Sequence, residues 1–109
     1  MKKITGYDID GVLTAGIKPK KPYVIISGRT YREWRRTLKE IGTDAPIYLR
    51  PYGKGYDCSV SGFWKAEIIM RLGIKKFYED QIEQAEVIKM YCPDCKIIMV
   101  TNKGQYEYK

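Results

Sequence analysis

The stretch Lys3-Ile4-Thr5-Gly6-Tyr7-Asp8-Ile9-Asp10-Gly11-Val12-Leu13-Thr14 decides how the rest of the chain is read. Its β-prone first half, Lys3 to Ile9, predicts a strand, and Asp8-Ile9-Asp10-Gly11 is a turn signal at its end. Two carboxylates spaced i and i+2 at a strand end can point to the same side, so that one attacks an electrophile while the other handles protons. Gly11 lets the backbone turn sharply beside them. Asp and Gly are also ordinary turn formers, so these four residues alone fit a plain turn as well.

Working outward, short apolar runs alternate with helical periodicity. Tyr23 to Ile26 predicts a second strand ending in Ser27-Gly28, Ile47 to Leu49 a third, Lys75 to Tyr78 a fourth and Lys96 to Val100 a fifth. The fifth is apolar without alternation, as a strand covered on both faces should be. Between them, Thr30 to Ile41 predicts an amphipathic helix with Trp34, Leu38 and Ile41 inward, a basic outer face, and Gly42 as its stop. A second helix is capped by Ser59 or Ser61 and runs to Leu72 with Trp64, Ile68 and Leu72 inward, and Gly73 ends it. A third, Gln81 to Tyr91, turns Ile82, Ala85 and Ile88 inward, and the tail from Thr101 is polar.

This alternation predicts an α/β fold, three-layered and Rossmann-like, with a mainly parallel five-stranded sheet in a single domain spanning 1–109. Such sheets bind ligands at the carboxyl ends of their strands. Asp8, Asp10, Ser27, Glu79 and Asp80 all fall at or just after such ends, so they are expected to converge although they lie far apart in sequence.

Composition narrows the chemistry. The chain has three cysteines and no histidine, which removes Ser-His-Asp triads, Cys-His pairs and most zinc sites. Cys92-Pro93-Asp94-Cys95 joins a helix to a strand, where a proline turn is needed anyway, and reads as two ordinary loop thiols. A formal charge of +7 and a pI near 9.3 suit an anionic partner, although excess lysine also keeps a small protein in solution. No apolar stretch is long enough to span a bilayer, and the expected location is cytoplasmic.

Asp8-Ile9-Asp10-Gly11-Val12-Leu13-Thr14 resembles the first motif of the haloacid-dehalogenase superfamily of phosphatases. Ile25-Ile26-Ser27-Gly28-Arg29 resembles the second, Lys65 near the start of a helix the third, and Glu79-Asp80 the fourth, in order from about Ile4 to Val100. The resemblance implies a Mg²⁺-dependent phosphomonoester hydrolase. It makes Asp8 the nucleophile that becomes an aspartyl phosphate and Asp10 the acid and then base, with Ser27 and Lys65 on the phosphoryl oxygens. Gly11, Gly28 and Arg29 are the expected substrate contacts, Arg29 being read either as a phosphate contact or as a surface charge at a helix start. Asp8, the Asp10 carbonyl, Asp80 and Glu79 are the expected metal ligands. Glu79 departs from the commoner Asp-Asp pair, and Lys54 is the substitute should Lys65 lie too deep in its helix.

Only Ala15 to Pro22 separates the first motif from the second strand, so no cap domain fits there, and the loop Arg50 to Asp57 is also too short for one. An open site on a basic protein suggests a phosphate at the end of a polymer, and Ser27-Gly28-Arg29 with the Lys65-Ala66-Glu67-Ile68 helix resembles the phosphatase domain of polynucleotide kinase-phosphatases, which implies a nucleic-acid 3′-phosphate end as the substrate. A small nucleotide or sugar phosphate is the alternative within the enzymes. Outside them stand a non-catalytic nucleic-acid-binding module of the same fold and a thiol redox protein. Trp34 and Trp64 are read as core residues rather than base-stacking platforms.

Overall fold

The computed structural model describes residues 3–51 and 58–109. Lys54 and most of the Arg50–Asp57 loop lie outside the described residues. Six strands form one sheet in the order β3-β2-β1-β4-β5-β6: β1 Thr5–Tyr7, β2 Tyr23–Thr30, β3 Ile47–Arg50, β4 Lys76–Glu79, β5 Lys96–Thr101 and β6 Gly104–Tyr108. The first five are mutually parallel and β6 pairs antiparallel to β5. The expectation of five strands is therefore corrected by one. The polar tail hides β6 from a hydropathy reading, because this edge strand is mostly exposed and only Tyr108 at its end packs against the core.

Three helices connect the strands: α1 Trp34–Ile41, entered through a 3₁₀ turn at Tyr31–Glu33, α2 Cys58–Leu72 and α3 Ile82–Tyr91. Gly42 and Gly73 follow α1 and α2 with φ of 60° and 66°, the left-handed conformation that stops a helix, as their positions predicted. Ser61 lies inside α2 and does not cap it. Right-handed crossovers place α2 and α3, which connect β3 to β4 and β4 to β5, on one face of the sheet. The same rule puts α1 on the other face, which it shares with the 14–22 loop: Tyr23 Oη lies 2.6 Å from Thr43 Oγ1, just past α1. Residues 14–22 hold only turns and extended chain.

The core sits mainly under α2 and α3. Val24, Ile26, Ala66, Ile69, Ile74, Phe77, Ala85, Ile88, Ile97 and Met99 are buried there together with Cys92 and Cys95. Of the expected inward face of α2, Trp64 and Ile68 are half-buried and pack against the core while Leu72 is exposed, and Ser61, Lys65, Ala66 and Ile69 are fully buried beside them. Lys65 can be buried there because Asp8 and Glu79 pair its ammonium. On α3, Ala85 and Ile88 are buried as expected, whereas Ile82 is exposed. On α1, only Thr37 is buried; Trp34 is 37% exposed and Leu38 42%, which overturns the core reading of Trp34. Among the described residues, no helix is long and apolar enough to cross a membrane.

Candidate active site

β1 ends at Tyr7, and its hydrogen-bond ladder continues one step as Asp8 N–H donates to Tyr78 C=O at 3.2 Å. The chain then leaves the sheet in a wide turn, Ile9–Leu13, closed by Thr14 N–H donating to Ile9 C=O. Asp8 starts that turn in an extended conformation, and its Oδ1 accepts from Ile9 N–H at 2.8 Å. The carboxylate is thus held by its own backbone at the carboxyl end of a central strand. Gly11 has φ +81°, and a Cβ there would collide with the Asp80 carboxylate. Glycine is required on both counts, and β4 can therefore bring Asp80 against the turn.

Lys65 reaches the same point from α2. Its Nζ is fully buried and donates to Asp8 Oδ2 at 2.7 Å and to Glu79 Oε1 at 2.8 Å. The other Glu79 oxygen accepts from the backbone N–H groups of Asp80 and Gln81, at 3.0 and 3.2 Å, which fixes the loop into α3. Burial alone works to depress the Lys65 ammonium; the charges of Asp8 and Glu79 overcome it and hold the group above its usual range. Burial pushes Asp8 up to about 7, with Lys65 opposing and Glu79 adding to the rise. Burial also raises Asp80, helped by the charge of Asp8.

Asp8, Glu79 and Asp80 each place a carboxylate oxygen within 4.8 Å of the others. Three carboxylates against one ammonium leave this knot with excess negative charge. An all-oxygen donor set with excess negative charge fits a hard divalent cation such as Mg²⁺.

The carboxylate of Asp10 stands apart from this cluster. It accepts a two-point fork from Arg29, Nε to Oδ2 at 2.9 Å and Nη2 to Oδ1 at 2.8 Å. The rest of the guanidinium is also committed: Nη2 and Nη1 donate to the two oxygens of Glu40 at 3.1 Å, and Nη1 to Thr37 Oγ1 at 3.2 Å. Five N–H groups meet five acceptors, so Arg29 has none left for a phosphate. The expected role of Arg29 as a substrate contact is corrected accordingly: it is a clamp between the Asp10 turn and α1. Its hydrogen bonds hold Asp10 below the usual carboxylate range.

Ser27 is buried at a break in the β2–β3 register, and its Oγ accepts from Arg29 N–H at 3.1 Å, which leaves the hydroxyl proton free to donate. These groups line a cleft of about 480 Å³ at the carboxyl edge of the sheet, with Asp8, Asp10, Gly11, Ser27, Gly28, Arg29, Lys65 and Asp80 all on its wall. Arg50, Ser61 and Gln84 line it too, and the motif reading missed them. Arg50 ends β3 and donates from Nε to Gly28 C=O at 3.3 Å, so the strand-end rule was a usable signal. Ser61 lies one helical turn before Lys65, which also marks it. Nothing local marks Gln84.

Cys92 and Cys95 are buried away from this cleft, and burial raises both thiols, Cys95 to about 12, which leaves them poor nucleophiles at neutral pH. No family model matches the chain, and a search of curated proteins returns no match.

Proposed function

We propose that the protein is a magnesium-dependent phosphomonoesterase of the haloacid-dehalogenase type. The observation that carries this reading is Lys65 Nζ, buried between Asp8 and Glu79 with Asp80 beside them, since four residues from three separate stretches meet at one strand edge. Asp8 attacks phosphorus, the ester P–O bond breaks, and Asp10 protonates the departing alcohol; water then attacks the aspartyl phosphate, Asp10 takes its proton, and inorganic phosphate leaves. Ser27 O–H and Lys65 hold phosphoryl oxygens as charge builds on them. Asp8 and Asp80, with Glu79 and the Asp10 backbone behind them, would hold Mg²⁺, which when bound supplies the positive charge that the carboxylates lack.

A nucleic-acid 3′-phosphate end is the substrate this reading favours. In support, the chain carries a net charge of +7, and α1 presents Arg35, Arg36, Lys39, Trp34 and the neighbouring Tyr31 to solvent. The Tyr31 and Trp34 rings lie 6.2 Å apart. Aromatic rings among cations suit an exposed strand.

One observation favours a non-catalytic phosphate-ester-binding module instead: Arg29 holds Asp10 ionised, which opposes its acid role. Phosphate release from a 3′-phosphorylated oligonucleotide and from free nucleotides, with and without Mg²⁺, decides between them. The enzyme reading expects magnesium-dependent release that Asp8→Asn abolishes with the fold intact. Binding without release in the wild type establishes the module.

A further inference from the structure

Little apolar packing holds α1 to the sheet: Thr37 is its one buried residue, and Trp34 and Leu38 face solvent. What the helix offers inward is polar. Thr37 Oγ1 and the two Glu40 oxygens take three of the five side-chain hydrogen bonds of Arg29, and Asp10 takes the other two. The Arg29 side chain is 7% exposed, so these bonds form where water competes little.

Asp10 has no such support of its own. Its side chain is 65% exposed, and among the described residues Arg29 is the one hydrogen-bond donor to its carboxylate. Wherever the guanidinium stands, the Asp10 oxygens stand with it. A guanidinium ends a long, flexible stem, so a fork shared with one exposed carboxylate would let the two side chains move together. Glu40 and Thr37 stop that movement. The Nε–Nη2 edge of Arg29 faces Asp10, while Nη1 and Nη2 are gripped from the helix on the other side.

We infer that Thr37 and Glu40 are positioning residues for Asp10, which they reach through Arg29. This rests on the phosphatase reading, in which Asp10 gives a proton to the departing alkoxide oxygen as the ester P–O bond breaks, and later takes one from the water that attacks the aspartyl phosphate. A proton moves well only across a hydrogen bond of fixed geometry, so a loosened Asp10 slows both transfers. The attack of Asp8 on phosphorus is unaffected, because Ile9 N–H and Lys65 hold that carboxylate independently of α1.

The choice of leaving group separates these roles. Nitrophenolate departs from para-nitrophenyl phosphate without a proton, whereas the alcohol of a 3′-phosphorylated oligonucleotide or a nucleoside 3′-monophosphate needs one. The wild type, Glu40→Gln, Thr37→Val and Thr37→Ser are compared with Mg²⁺, by the first turnover of the nitrophenyl ester and by steady-state phosphate release from the two alkyl esters. Glu40→Gln and Thr37→Val should each lower release from the alkyl esters by about tenfold or more, while the first turnover of the nitrophenyl ester stays within about twofold. Thr37→Ser keeps the hydroxyl and should stay within about twofold of the wild type on every ester. Without substrate, the Arg29 Nε proton followed by NMR should exchange with solvent faster in Glu40→Gln and Thr37→Val than in the wild type. Equal losses on both kinds of ester mark a structural role and overturn the inference, as does the absence of any loss or an unchanged exchange rate. Wild-type turnover of the nitrophenyl ester but of neither alkyl ester overturns it as well, since a well-placed Asp10 would protonate the alcohol. Faster Nε exchange in the variants of a protein that turns over no ester rejects the phosphatase reading alone.

Discussion

The two faces of the sheet are unequally covered. Beneath α2 and α3, twelve residues form a buried apolar cluster, whereas on the face of α1 and the 14–22 loop the buried cluster consists of Tyr7, Val12 and Val100. The candidate site draws on both. Lys65 comes from the thick side, where water is excluded and an ammonium between two carboxylates is strongly held. The Arg29 clamp comes from the thin side, where Glu40 still touches solvent and α1 leaves Trp34 and Leu38 exposed. Groups whose work depends on desolvation sit on the side that can supply it.

Substitutions on the two faces sharpen this contrast. Lys65→Met is the most damaging: it strands Asp8 and Glu79 as buried, uncompensated carboxylates and should cost about 3–5 kcal/mol along with all turnover. Denaturant titration checks it, and a loss below 1 kcal/mol contradicts the buried knot. Ile88→Ala, in the thick core, should cost about 2–5 kcal/mol by the same measurement.

On the thin side, Arg29→Lys retains the charge but loses the planar fork, so it should lower kcat with little change in KM as Asp10 becomes free to wander. A change confined to KM would instead return Arg29 to substrate binding. Leu38→Ala, at an exposed position, should change stability by no more than about 0.5 kcal/mol. A loss comparable to that of Ile88→Ala would show that α1 is covered by a partner in solution.

The electrostatics of the two sides also separate by pH. Asp8 has a folded-state pKa of about 7, above its ordinary value of 3.8, so the native state binds more protons than the unfolded chain between these limits. Its contribution to stability is present in acid and is lost as pH rises toward 7. Asp10 is shifted down, so its contribution is present above the usual carboxylate range and is lost as pH falls below it. Metal-free protein should therefore melt lower at pH 7.5 than at pH 5.5, with Asp8→Asn flattening the difference. Equal slopes in the two proteins would remove Asp8 as the cause.

Much of the frame was legible in sequence. Five strands, three helices and the glycine stops at 42 and 73 follow from local periodicity and backbone preference, and those signals survive folding because they act within a few residues. The convergence of Asp8, Ser27, Glu79 and Asp80 was legible as well, through the rule that strand carboxyl ends share an edge. Other features were not. β6 is mostly exposed and lies in a polar tail. The burial of Lys65 depends on a partner, Asp8, 57 positions away in the chain.

By itself, then, the order of residues determined which segments become strands and helices and which strand ends carry carboxylates, since these depend on neighbours along the chain. Only the tertiary structure decided that Arg29 spends all its donors on Asp10, Glu40 and Thr37, and that Ser61 and Gln84 remain unpaired at the cleft. Hydrogen-bond satisfaction is a property of three-dimensional neighbourhoods, and those neighbours come from segments brought together only when the sheet closes.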